Sequence, residues 1–288
     1  MKTGWYHIIA LCIVVAWGTT YASTKILLLH GLSPVDIIFC RFLLAYLGIW
    51  FLGRRQLFAD NLKDEFLLIL LGFTGGTLYF IAQNIALNIT LASNVSLLVS
   101  VSPIFTAFLT YLLLKSENLK RYLWYGSLLA FMGVAFIAFN GHFILDINPL
   151  GDMLSILAAL SWAFYTILLK RLENRYSTLF ITRKVFFYGI LTLLPFFLYS
   201  PLSLDIAVLI QPVVFFNLLY LGIVASLLCF FLWNTVVKNL GAVRTSNYIY
   251  LIPPVTLLTS VIIIDEIVTP AALVGAALIL TGVVLAER

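Results

Sequence analysis

Trp17-Gly18-Thr19-Thr20-Tyr21-Ala22-Ser23-Thr24-Lys25 has a near copy 145 positions on, Trp162-Ala163-Phe164-Tyr165-Thr166-Ile167-Leu168-Leu169-Lys170. In both, a Trp stands eight residues before a Lys inside an otherwise apolar run. Other landmarks recur at nearly the same offset: Asn84 and Ala92 with Asn234 and Ala242, Pro103 with Pro253, and Gly126 and Gly133 with Gly275 and Gly282. Recurrence at a fixed offset is how an internal duplication betrays itself. The chain therefore reads as two homologous halves, 1–144 and 145–288.

Of the 288 residues, 62% are hydrophobic and 10% charged, with a mean hydropathy of +1.08; soluble domains carry roughly 25% charged residues. This composition belongs in a lipid bilayer. The net charge of +5 does not point to nucleic acid, because such surfaces cluster basic residues on a solvated face. Here they fall in short breaks between apolar runs. Cys12, Cys40 and Cys229 are isolated within those runs without CxxC spacing, so neither disulfide, metal nor cofactor is expected. The first apolar run lacks a small-residue cleavage site and reads as a retained helix.

A bilayer core about 30 Å thick takes about 20 apolar residues per helix. Ten runs meet that need and predict an all-α membrane protein with spans near 5–29, 34–52, 66–88, 92–114, 121–140, 149–170, 178–199, 212–237, 241–264 and 269–286. Transmembrane strands would alternate polar and apolar positions, and runs such as Phe66 to Leu71 do not. Lys and Arg occupy alternate breaks, from Lys2 and Arg54-Arg55 to Lys170-Arg171 and Lys238, while the breaks near His30, Asn88, His142, Asp205 and Asp265 hold none. Both termini should then face the cytoplasm, across a cell (inner) membrane. Five spans per half is an odd number, so the second half crosses in the opposite sense. Such inverted-topology repeats are associated with alternating-access carriers.

These residues, taken in order, resemble a known family: Trp17-Gly18 with Lys25, Ser33-Pro34 followed by Arg41-Phe42, the Pro103 helix ending near Glu117, Gly151-Asp152, and Glu266 before Gly275 and Gly282. The chain resembles the drug/metabolite transporter superfamily, in its bacterial ten-helix branch with two EamA domains. The resemblance implies an exporter or permease for amino acids, other metabolites, nucleotide sugars or drugs. The ninth span lacks the deep basic cluster of phosphate-ester translocators, which argues against sugar phosphates.

A carrier's site must be reachable from either side in turn, so mid-depth residues are the candidates. Trp17, Tyr79, Pro103, Trp162 and Pro253 fall there. Trp17, Tyr21, Tyr79, Trp162, Tyr165, Trp233 and Tyr250 offer aromatic faces with one polar handle each. Ser96, Ser100, Pro103 and Thr110 share one face of the fourth span, and Ser246, Tyr250, Pro253 and Ser260 repeat that stripe in the ninth. Such stripes either pack helices or line a cavity, but they do not face acyl chains. Gln83, Asn84, Asn94, Asn234 and Asn247 could orient a substrate or tie helices together. The substrate-binding set is thus Trp17, Tyr21, Tyr79, Gln83, Ser96, Ser100, Trp162, Tyr165, Trp233, Asn247 and Tyr250, a largely uncharged site.

Pro103 and the pair Pro253-Pro254 remove backbone hydrogen bonds and are expected to kink two equivalent gating helices. Lys25 and Arg41 are candidate latches, paired with Asp36, Asp152 or helix-end carbonyls, with snorkelling as the alternative. No carboxylate falls at mid-depth, which suits a uniporter or exchanger, or coupling through Asp36 or Asp152. An enzyme has little support, with no HExxH, no Gly-x-Ser-x-Gly and no paired mid-depth carboxylates. The expectation is a secondary transporter exporting small organic metabolites, amino acids first, with cationic or lipophilic drugs as the alternative and a channel or scramblase behind it. Its partners are a small-molecule substrate and lipid, with no nucleic acid, as a monomer or homodimer.

Overall fold

The computed structural model describes residues 3–51, 56–113, 121–139, 148–264 and 270–286. Glu117, His142, Asp265, Glu266 and the side chains of Asn94 and Ser260 lie outside the described residues. The described residues hold helices and no strand, and besides a short helix at Ile206–Leu209 the helices form ten segments, within a few residues of the expected spans. They are α1 (Thr3–Leu29), α2 (Pro34–Trp50), α3 (Leu62–Ile89), α4 (Ala92–Val99 and Ser102–Leu113), α5 (Arg121–Phe139), α6 (Pro149–Leu172), α7 (Thr178–Leu198), α8 (Pro212–Leu240), α9 (Ala242–Ser246, Asn247–Leu251 and Ile252–Ile264) and α10 (Pro270–Ala286). In hydrocarbon every backbone polar group needs an internal partner, which is why apolar runs of this length become helices.

Local signals set the ends. Ser33 and Asp36 form a reciprocal capping box in front of α2, with Pro34 at its first position. Asn61, Asn148 and Ser177 cap α3, α6 and α7 through their side-chain oxygens. Gly31 and Gly241, at φ of +90° and +91°, turn the chain out of α1 and α8 in a conformation that L side chains resist.

The halves run in opposite senses. Asn148, before α6, donates to the Ile89 carbonyl at the C-terminus of α3 (2.9 Å). Arg175, after α6, reaches Asp64 at the N-terminus of α3 (2.7 Å). The bundle accordingly has a Lys25 end and a Glu65 end. Contacts recur in pairs under the repeat. A methyl group on Gly133 would lie 2.5 Å from the Gly275 carbonyl oxygen, and one on Gly282 would lie 2.6 Å from that of Gly126. The four glycines that match in sequence are thus the crossing point of α5 and α10, where the backbones touch. Likewise a methyl on Gly72 would meet the Tyr188 Cβ at 2.5 Å, and one on Gly222 the Leu44 Cβ at 2.7 Å.

Two departures from plain α-helix also recur. α3 is π-helical over Phe73–Leu78 and α8 over Tyr220–Leu228. A π-turn widens the helix and frees carbonyls for outside donors. The Trp17 indole N–H takes the Ala225 carbonyl (3.0 Å) and the Ser161 hydroxyl takes that of Thr74 (2.8 Å). Each first helix of a repeat is thereby pinned to the third helix of the other. The prolines act differently from a mid-helix kink. α4 breaks at Ser100-Val101 and restarts at Ser102, with Pro103 in the new first turn, where its missing N–H costs nothing. α9 passes through a 3₁₀ stretch, Asn247–Leu251, and restarts at Ile252 ahead of Pro253 and Pro254.

Candidate functional site

At the centre of the bundle, between the halves, lies a narrow cavity of about 30 Å³. Its walls are Trp17, Thr20, Tyr21, Arg41, Tyr79, Phe80, Gln83, Val99, Ser102, Trp162, Phe230, Ile249 and Ile252. Most of these come in repeat-related pairs: Trp17 with Trp162, Phe80 with Phe230, Val99 with Ile249, and Ser102 with Ile252. The cavity therefore sits on the pseudo-twofold axis. Trp17 meets Trp162 edge to face at 5.2 Å and 88°, and Phe230 stands 5.9 Å from the first ring and 5.6 Å from the second. Tyr79 closes on Trp162 at 5.1 Å.

The two halves do not contribute alike. Thr20, Tyr21, Arg41, Tyr79, Gln83 and Ser102, all from the first half, carry the polar groups other than the indole nitrogens. The second half gives Trp162, Phe230, Ile249 and Ile252. One wall binds polar groups and the facing wall is apolar, a layout suited to a small amphipathic molecule. A homologous pair has diverged into two complementary surfaces.

Of the expected binding residues, Trp17, Tyr21, Tyr79, Gln83 and Trp162 line this cavity. Tyr165 and Trp233 lie behind the aromatic wall. The Tyr165 ring packs tilted against Trp162 at 4.9 Å and its hydroxyl donates to Asn234 Oδ1 (2.6 Å), while Trp233 packs on Trp17 at 4.9 Å. Ser96, Ser100, Asn247 and Tyr250 are buried away from it, and the Ser100 hydroxyl folds back to the Leu97 carbonyl (2.6 Å). Phe80, Phe230, Val99 and Ile249 were not anticipated. The 150-residue offset already seen in Asn84 and Asn234 would have paired them.

Lys25 donates to the Leu87 and Thr90 carbonyls at the C-terminus of α3 (2.6 and 3.3 Å), a helix-end partner of the anticipated kind. Among the described residues, Arg41 pairs with neither a carboxylate nor a helix end. It stands on the cavity wall, 2% exposed, with Nε donating to Ser226 Oγ (2.9 Å) and its guanidinium 4.1 Å from the Phe80 ring centre. Among the described residues, Arg41 is thus the one charged group in a largely uncharged lining. Asp36 is spent on structure, accepting from the Ser33 and Ser203 amides (3.2 and 3.3 Å). At the Glu65 end, Glu65 accepts from Lys184 and Tyr188, and Asp64 from Arg175 and Tyr176.

The profile of the EamA-like transporter family matches residues 4–139 and 149–287, once over each repeat. The chain belongs to that family. It is a membrane transporter and not an enzyme. Among similar proteins are an uncharacterised transporter of Archaeoglobus fulgidus, 29% identical over 97% of this chain and 96% of its own, and a "probable amino-acid metabolite efflux pump" of Salmonella typhimurium, 30% identical over 95% and 92%. A crystal structure of a protein 17% identical superposes with a TM-score of 0.73 over 98% of this EamA-type chain and 97% of its own, which shows the shared fold.

Proposed function

We propose that this EamA-type carrier exports amino acids or close amino-acid metabolites from the cytoplasm, with the Glu65 end and both termini on the cytoplasmic side of a cell (inner) membrane. The observation that carries the reading is the divided cavity, which offers polar groups from the first half and an aromatic and aliphatic wall from the second. An amino acid has the same division. The naming of the Salmonella relative as an amino-acid metabolite efflux pump supports it, as does a "probable terminal-alkyne amino-acid exporter" of Streptantibioticus cattleyicolor, 27% identical over 96% of this chain and 91% of its own.

Transport would proceed by exchange of conformations between the two halves. Just to the Lys25 side of mid-depth, Gly18 of α1 lies against Val255 and its carbonyl accepts from the Thr256 hydroxyl of α9 (3.0 Å). The repeat-related pair is Ala163 of α6 and Thr106 of α4, and the Thr106 hydroxyl is buried without a partner. One tie is made and its counterpart is open. Alternating access would make the second as it breaks the first, widening the cavity toward one end at a time.

The test is amino-acid exchange in proteoliposomes by wild type, Trp17→Ala and Trp162→Ala. Saturable exchange in wild type, lost in both variants while they remain folded, is the expected result. Flux of ethidium or tetraphenylphosphonium without amino-acid exchange would instead favour the drug exporter.

A further inference from the structure

We propose that Arg41 is the anchor for a carboxylate on the transported molecule, so that the carrier selects acids and zwitterions and rejects substrates that bear only a positive charge. The proposal rests on the amino-acid reading and sharpens it to a class.

Arg41 is a buried guanidinium at the centre of a membrane bundle, and guanidinium stays protonated at any physiological pH. A charge in that position costs several kcal/mol unless it is compensated. The described ion pairs are Lys170 with Glu173, Arg175 with Asp64 and Lys184 with Glu65, all toward the Glu65 end. None involves Arg41. Its single hydrogen bond is to Ser226 through Nε, and Phe80 covers a face of the group. Tyr79, Tyr220 and Cys229 act on it electrostatically, and none is a carboxylate. The two terminal nitrogens have no protein acceptor among the described residues.

The comparison between repeats makes the same point. On α7, which corresponds to α2, Lys184 is neutralised by Glu65. The first repeat keeps its cation and supplies no anion. A planar group with two free nitrogens on one edge matches the two oxygens of a carboxylate. The ammonium of a zwitterion bound there would lie among the Trp17, Trp162 and Tyr79 rings, whose faces attract cations. An unpaired cation also disfavours a closed cavity that is empty, so the loaded carrier should cross more readily than the unloaded one. Export would then be coupled to return of another carboxylate.

The experiment is equilibrium binding to the purified full-length protein, followed by tryptophan fluorescence. Each protein amino acid is tested first, and then, for those that bind, the matching amide and the decarboxylated amine. Wild type should bind the acid on the order of 10- to 100-fold more tightly than either analogue, the range expected for a charge-assisted pair. In Arg41→Gln the three should converge, and Arg41→Lys should keep part of the preference. Equal binding of acid and amide to wild type overturns the proposal, with or without a folded variant. So does binding of inorganic phosphate or chloride with no amino acid bound. Binding of cationic dyes alone defeats the carboxylate anchor and leaves the transporter reading in place; absence of every ligand defeats both.

Discussion

Trp17 and Trp162 occupy equivalent places in the two repeats and touch edge to face, yet only Trp17 has a partner for its indole nitrogen, the Ala225 carbonyl. The pair predicts different responses to the same substitution. Trp17→Phe removes a hydrogen bond from the π-helical stretch of α8 and should lower the stability of the ligand-free protein by about 0.5–1.5 kcal/mol. Trp162→Phe loses ring volume but no hydrogen bond, so it should cost less stability by that margin, and it should weaken substrate binding several-fold because the ring forms part of the cavity wall. Thermal midpoints in detergent and fluorescence titrations separate the two, and equal behaviour of the two variants would refute the assignment.

The crossing of α5 and α10 should be intolerant of a single methyl group. In Gly133→Ala and Gly282→Ala the new carbon meets backbone atoms, which cannot rotate away. Each substitution should cost about 1–3 kcal/mol or more through overpacking. Gly4→Ala, where nothing lies within 4 Å of the added carbon, is the control and should melt like wild type.

The tie between Thr256 and Gly18 predicts a shift in which end is open. Removing a hydrogen bond worth about 0.5–1.5 kcal/mol corresponds to roughly a two- to twelvefold change in an equilibrium. In a background without native cysteines, Ser102→Cys reports access to the cavity. Thr256→Val should raise its labelling from the Lys25 side. Thr106→Val should lower it, since the hydroxyl that is unpaired here would make the counterpart tie in the opposite state.

Glu65 and Lys184 form a pair whose side chains are 14% and 5% exposed. Glu65→Gln strands the ammonium and should cost about 3–5 kcal/mol. Adding Lys184→Met removes the stranded charge and should restore most of the loss. A single variant that melts like wild type would show that water already solvates the lysine.

The ten spans, their count per half and the inversion were legible in the sequence because each rests on local physics: run length, backbone satisfaction in lipid, and the placement of Lys and Arg. The glycine correspondences were legible as a duplication but not as a contact. Pro103 and Pro253-Pro254 were legible as interruptions, yet not as first-turn residues of restarted helices, because the break depends on the residues before them. Ser96, Ser100, Asn247 and Tyr250 share helical faces with cavity positions, but a face does not say which neighbour it meets.

By itself, then, the sequence determined a membrane bundle of two related halves with aromatic residues at mid-depth. Only the tertiary structure decided that the first half supplies the polar wall of the cavity and the second the apolar one. It alone placed Arg41 on that wall without a carboxylate. Hydrophobic periodicity records which side of a helix avoids lipid, a property of one segment. Whether a buried charge is compensated depends on groups brought together from distant parts of the chain, as with Arg41 and Ser226, and that information exists only once the helices have packed.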